Sequence, residues 1–176
     1  NYFCDMFKLL TILAFTSLAP KPPVNYIQVA KTAQAKYQPT NKNYVVVIDY
    51  TKPIDQERLF LVDMNKEQIV LRSRVAHGVK SGGNIATDFS NEMNTKKTSL
   101  GAYITKDTYY GSFGYSLKVK GLDSTNSNAE RRYIIFHSDK TMKTKWSWGC
   151  FATPDTINRK LIDLIKGGCL VYVQKF

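Results

Sequence analysis

The sequence predicts a mainly β fold with one well-defined helix in its C-terminal half. Three observations lead there. Short apolar runs rich in β-branched residues recur along the chain, and a single segment near residues 154–166 carries apolar side chains at helical spacing. The length of 176 residues, 43% of them hydrophobic, is enough for about one domain with a real core.

The first stretch, Met6-Phe7-Lys8 followed by an apolar run from Leu9 to Ala19, matches the basic and hydrophobic regions of a secretory signal, so residues 1–19 are expected to be a signal peptide. The run is shorter than the ~20 residues of a membrane-spanning helix and stops at Pro20-Lys21-Pro22-Pro23, so stable membrane insertion is not expected. The alternative is a buried N-terminal helix. Residues 20–43 are rich in Pro, Lys and Gln, with a weak helical pattern through Ile27, Ala30, Ala33 and Tyr37, and read as a linker or a marginal helix.

The folded domain is expected over residues 44–176. Tyr44 to Tyr50 is a nearly continuous apolar run of the kind found in buried strands. Arg58 to Asp63 and Gln68 to Val75 form a hairpin across Met64-Asn65-Lys66-Glu67. Ser99 to Thr105, Tyr115 to Lys120, Arg132 to Phe136 and Leu170 to Gln174 read as further strands. Between the last two lies the helix. Thr153 supplies a hydroxyl cap, Pro154 the first helical position and Asp155 an acid in the first turn, while Gly167-Gly168 end it. Ile157, Leu161, Leu164 and Ile165 fall on one face, so this helix lies on a sheet.

Lys and Arg exceed Asp and Glu by 25 to 14, for a formal charge of +11. Such a chain is drawn to polyanions. The excess is scattered, as at Lys96-Lys97, Arg131-Arg132 and Lys140, Lys143, Lys145, with no basic helix face and no nucleic-acid module, so nucleic acid is not an expected partner. The three Cys and two His lack metal-knuckle spacing, and no cofactor is implied.

The chemistry concentrates in His137-Ser138-Asp139 and Ser147-Trp148-Gly149-Cys150-Phe151. His137 follows directly on an apolar strand, where a side chain emerges at a loop. Cys150 stands in a glycine turn a few residues ahead of a helix N-terminus, a place that lowers a thiol pKa. A thiolate nucleophile needs a base and oxyanion donors, and His137 with the N–H groups of Gly149 and Cys150 is the candidate set. Taken singly, each residue has a plainer reading, as a buried thiol or a strand-end imidazole. Cys169 sits inside a strand without a neighbouring His and is assigned to the core.

The segment from His137 to Cys150 resembles the signature of the L,D-transpeptidase catalytic domain, the YkuD-like family of bacterial wall enzymes. Upstream, Val75-Ala76-His77-Gly78, Ser81-Gly82, Ala86 to Asn91, Ser99-Leu100-Gly101, Tyr109-Tyr110-Gly111 and Gly114 to Leu117 are similar to the murein subgroup, whose nucleophile motif reads Ser-Trp-Gly-Cys. The resemblance covers roughly residues 44–175. It implies a mixed β-sandwich and acyl transfer on peptidoglycan stem peptides, with Cys150 forming a thioester at the position-three diamino acid and releasing D-alanine. A neighbouring stem's amine then gives a 3-3 cross-link, or water gives L,D-carboxypeptidase activity.

On the same basis His137 is the base, the main-chain oxygen of Ser138 orients it, and Gly149 and Cys150 are the oxyanion donors. Ser147 and Gly149 shape the turn, and Ser147, Trp148, Tyr110, Tyr115 and His77 are the candidate substrate-binding residues. Two positions depart from the common pattern: Ser138 stands where many relatives have Gly, and Ala152 where typical members have Arg. A monomer is expected, exported by its signal-like N-terminal run to the periplasm or cell wall of a bacterium. A papain-like protease fits worse, because there the Cys precedes the His. A noncatalytic, basic wall-binding module is the other alternative.

Overall fold

The computed structural model describes residues 23–139 and 146–176. The expected signal peptide and Lys140, Lys143 and Lys145 lie outside the described residues. In chain order the elements are α1 (Tyr26–Tyr37), β1 (Asn41–Asp49), β2 (Leu59–Asp63), β3 (Gln68–Ser73), β4 (His77–Gly78), β5 (Gly101–Gly111) and β6 (Gly114–Gly121). They continue with β7 (Ile135–Asp139), β8 (Trp146–Ser147), β9 (Phe151–Pro154), α2 (Asp155–Ile165) and β10 (Cys169–Gln174). The fold is mainly β, as the apolar runs predict. Eight strands make one mixed sheet in the order β3-β2-β1-β10-β5-β6-β7-β9, and β4 pairs with β8 beside it.

The run Val45 to Ile48 is apolar throughout because β1 is covered on both faces. Val46 and Ile48 join the larger core, which receives Leu161, Ile162 and Ile165 of α2. Val45 and Val47 join a smaller core on the other face, closed by Ala30 and Ala33 of α1. Two helices therefore clasp the sheet, where the sequence suggests only one with confidence of pattern.

Residues 26–37, expected as a linker or a marginal helix, form α1 through contacts distant in sequence. Asn25 caps its start by accepting from the Gln28 N–H at 3.1 Å. The Tyr26 ring stacks on Phe60 with centroids 3.9 Å apart, and its hydroxyl donates to Asp49 at 2.7 Å. At the far end the Tyr37 hydroxyl donates to Asp123 at 2.9 Å. A twelve-residue helix is marginal alone, and here docking stabilises it.

Three further details differ from expectation. Thr153 does not cap α2: it belongs to β9, its hydroxyl donates to Asn158 Oδ1 at 3.2 Å, and Pro154 takes the cap position without a side-chain bond. Strand β7 starts at Ile135 rather than Arg132, because Tyr133 adopts a left-handed φ of 54°. Strand β5 runs on to Gly111 across an irregularity between Thr105 and Thr108 and turns into β6 through Ser112 and Phe113. That turn reaches the candidate site.

Candidate active site

Strands β7 and β9 run parallel, with Phe136 opposite Phe151 and His137 opposite Ala152. Continuing this register back by one residue sets Cys150 beside Ile135, two positions from His137 and on the same side of the pleat. His137 and Cys150 accordingly line one cavity of about 940 Å³, with Phe113, Arg132, Trp146 and Trp148 among its other walls. Ala152 also lines it.

The imidazole of His137 is oriented by its own chain. Its Nδ1 lies 3.0 Å from the main-chain oxygen of Ser138. A carbonyl only accepts, so Nδ1 carries the proton and Nε2 the lone pair. The ring of Phe113 stacks on the imidazole with centroids 4.3 Å apart. Burial holds the His137 pKa below its ordinary value, against smaller opposing effects of the Ser138 carbonyl and the Asp139 charge.

Cys150 does not meet the helix N-terminus that its position in sequence suggests. All of β9 lies between it and α2. Burial pushes the thiol up, while the Ile135 N–H and the Arg132 charge act in the opposite direction. The Sγ atom lies 3.5 Å from the Tyr133 carbonyl oxygen, to which the thiol donates. Burial thus favours the neutral form of both the thiol and the imidazole.

The turn between β8 and β9 is organised by Ser147. Its buried hydroxyl donates to the Cys150 carbonyl at 2.7 Å and accepts from the Gly149 N–H at 3.0 Å. Gly149 has a φ of 116°, and a Cβ there would stand 2.7 Å from the Lys97 carbonyl oxygen and 3.1 Å from Arg132 Nη2. Only glycine fits. The Gly149 N–H, expected as an oxyanion donor, is instead engaged by the Ser147 hydroxyl.

The L,D-transpeptidase catalytic domain model matches residues 21–174 of the chain. The chain belongs to that family. The fold of this L,D-transpeptidase domain is similar to that of the helical cell shape determining protein Pgp2 of Campylobacter jejuni, at a TM-score of 0.52 and 13% identity, covering 75% of this chain and 47% of the other. Bd1075 of Bdellovibrio bacteriovorus is 21% identical over 75% of this chain and 48% of its own, with a TM-score of 0.49. The L,D-transpeptidase of Stackebrandtia nassauensis is 17% identical over 84% of this chain and 62% of its own, with a TM-score of 0.48. The chain thus spans about half of the first two structures and under two thirds of the third. No curated protein matches it.

Within this L,D-transpeptidase domain the remaining candidates separate. Trp148 is 71% exposed at the cavity mouth, with Lys96 Nζ 4.2 Å from its ring centre. Tyr110 and Tyr115, expected as a substrate wall, are not among the lining residues. They turn instead to α2, where Arg159 reaches the Tyr110 hydroxyl at 3.2 Å and the Tyr115 hydroxyl donates to Asp163 at 2.9 Å. His77 is fully buried beneath the site, between Arg58 Nη2 at 3.1 Å and the Gly82 carbonyl oxygen at 3.3 Å. Arginine only donates, so His77 Nδ1 accepts and Nε2 carries the proton, the opposite tautomer to His137. Burial first, and the Arg58 charge second, lower its pKa to about 4.

Arg132 and Phe113 are the residues that sequence reasoning misses. The Arg132 guanidinium donates to the Ser90 carbonyl at 2.7 Å, to Ser99 Oγ at 3.3 Å and to the Lys97 carbonyl, tying the 90–99 loop against the cysteine turn. In the sequence it is one of a scattered basic pair. Among the described residues no group of three His, Cys, Asp or Glu could hold a metal, and no helix is long and apolar enough to cross a membrane.

Proposed function

We propose that this chain is a cysteine acyltransferase of peptidoglycan stem peptides. The observation that carries the reading is the pairing, in one cavity, of the Cys150 thiol with an imidazole whose Nδ1–H is committed to the Ser138 carbonyl. Nε2 of His137 is then the atom available to take the thiol proton. Sγ attacks the carbonyl of the diamino acid at stem position three, and the developing oxyanion meets the Cys150 N–H. The bond to D-alanine breaks, His137 returns the proton to the departing amine, and a thioester remains.

An amine of a neighbouring stem, deprotonated by His137, attacks the thioester and expels the thiolate, which gives a 3-3 cross-link. Water as acceptor gives the L,D-carboxypeptidase product. Family membership and the apolar run from Leu9 to Ala19 support export to the cell envelope of a bacterium. The basic charge of +11 suits a wall polymer rich in carboxylates.

Intact mass spectrometry tests the reading. The purified chain and Cys150→Ala are incubated with a disaccharide tetrapeptide and, separately, with a carbapenem. An adduct on the parent alone, with loss of D-alanine from the stem, is expected. Dimeric or tripeptide product masses separate cross-linking from hydrolysis. No adduct and unchanged muropeptide would leave a wall-binding relative as the better reading.

A further inference from the structure

We infer that Asp155 is a positioning residue for His137, acting through the side chain of Ser138. The inference rests on the reading of His137 as the base. The Ser138 hydroxyl donates to Asp155 Oδ1 at 2.7 Å, while the same residue's carbonyl oxygen receives the His137 Nδ1–H at 3.0 Å. Ser138 is thus the hinge between a carboxylate and the imidazole. With its hydroxyl held, the Ser138 backbone has less freedom to turn its carbonyl away from the imidazole.

The local sheet explains why a third anchor matters here. Strand β6 is paired with β7 at Ile135 and Phe136, ahead of the histidine, whereas β9 continues alongside through Ser138 and Asp139. The backbone that must aim a carbonyl at the imidazole is therefore laddered from one side among the described residues. A glycine after the histidine offers no side chain to fix that peptide, and its backbone is freer. Ser138 supplies a tether, and its hydroxyl is held by an acid at the start of a helix packed into the core.

That setting is the first turn of α2. Asp155 opens the helix, whose inner side is fixed in the core by Leu161, Ile162 and Ile165. A carboxylate is favoured at a helix N-terminus, and a hydrogen bond to an ionised acceptor is stronger than one between neutral groups. The line from Asp155 through Ser138 to His137 therefore joins the rigid helix to the imidazole ring. Small errors in the aim of a catalytic group cost rate steeply.

A plainer role, in which the bond merely ties β7 to α2, is separated by reading the imidazole itself. In the full chain carrying ¹⁵N-labelled histidine, the parent is expected to show His137 as the Nδ1–H tautomer and His77 as the Nε2–H tautomer. Ser138→Ala and Asp155→Ala should move His137 toward a mixture while His77 stays as it is. Iodoacetamide alkylation of Cys150 should slow about tenfold in both. Ser138→Ala/Asp155→Ala together should be no slower than the slower single variant, and Asp155→Asn, which keeps an acceptor oxygen, should restore most of the rate.

An unchanged His137 tautomer in both alanine variants, with only the melting temperature lowered, overturns the proposal. So does a double variant whose loss is the product of the singles. Because tautomer and alkylation are read without stem peptide, a chain inactive on muropeptides but showing these shifts would overturn the substrate reading and leave this one standing.

Discussion

The rings of Phe113 and His137 lie 4.3 Å apart, centre to centre, with their planes inclined by 28°. The phenyl ring comes from the tip of the β5–β6 hairpin and shields one face of the imidazole from water. Because burial is the chief cause of the low His137 pKa, Phe113→Ala is expected to raise it toward the ordinary imidazole value. A base with a higher pKa is protonated over more of the acid range. The acid limb of a pH–rate profile for Cys150 acylation should move to higher pH, and an unmoved limb would show that the ring contributes no shielding.

Gly149→Ala is expected to abolish acylation. The φ of 116° costs a side chain on the order of 1–3 kcal/mol, and its Cβ meets the Lys97 carbonyl, so the turn must give way and Cys150 must move with it. Denaturant unfolding and carbapenem labelling on the same preparation check both parts.

Ser147→Ala strands two groups at once, the Gly149 N–H and the Cys150 carbonyl. Each buried polar group left without a partner costs roughly 1–3 kcal/mol unless water replaces the hydroxyl. The variant should melt well below the parent, whereas Cys150→Ala should melt close to it. Equal melting of all three would mean that the hydroxyl is dispensable to the turn.

Stability should fall with acid through His77. Its folded pKa, about 4, lies below the unfolded value of 6.5. Between these limits the unfolded chain binds a proton that the folded chain refuses, so the folded state loses stability as pH falls through the window and gains nothing above it. The depth is on the order of 3 kcal/mol. His77→Gln should flatten this part of the curve, and urea midpoints from pH 7.5 to 4 give the comparison.

Arg132→Met is expected to raise the Cys150 thiol pKa further, because a nearby positive charge that favours the thiolate is removed. The pH midpoint of iodoacetamide alkylation should shift upward. A shift in the opposite direction would mean that the guanidinium acts on the thiol only through the loops it ties.

Much of this was legible in the sequence because it is local. The β-branched run at Val45 to Ile48 announces a strand covered on both faces, and His137 and Cys150 stand out against apolar surroundings and a glycine turn. What stayed hidden is made by topology. Phe113 is an unremarked turn residue until the hairpin brings it over the imidazole. Arg132 gains its meaning from carbonyls about forty and thirty-five positions earlier. Adjacency of Tyr110 and Tyr115 to a motif says nothing of the partners on α2 that their hydroxyls meet. The helix α1 was faint because its small buried residues, Ala30 and Ala33, give little amphipathic contrast. The misjudged thiol shows the limit of counting residues to a helix: four of them here make a strand.

Strand β10, the last of the described elements in chain order, lies between β1 and β5 in the middle of the sheet. Synthesis proceeds from the other end, so until residues 169–174 emerge the two halves of the sheet face each other with open edges and cannot join. The sheet therefore closes only once β10 has been made. Long-range closure of this kind is slow. A stop codon after Lys166 should leave no soluble folded product, even though every residue lining the cavity is still present.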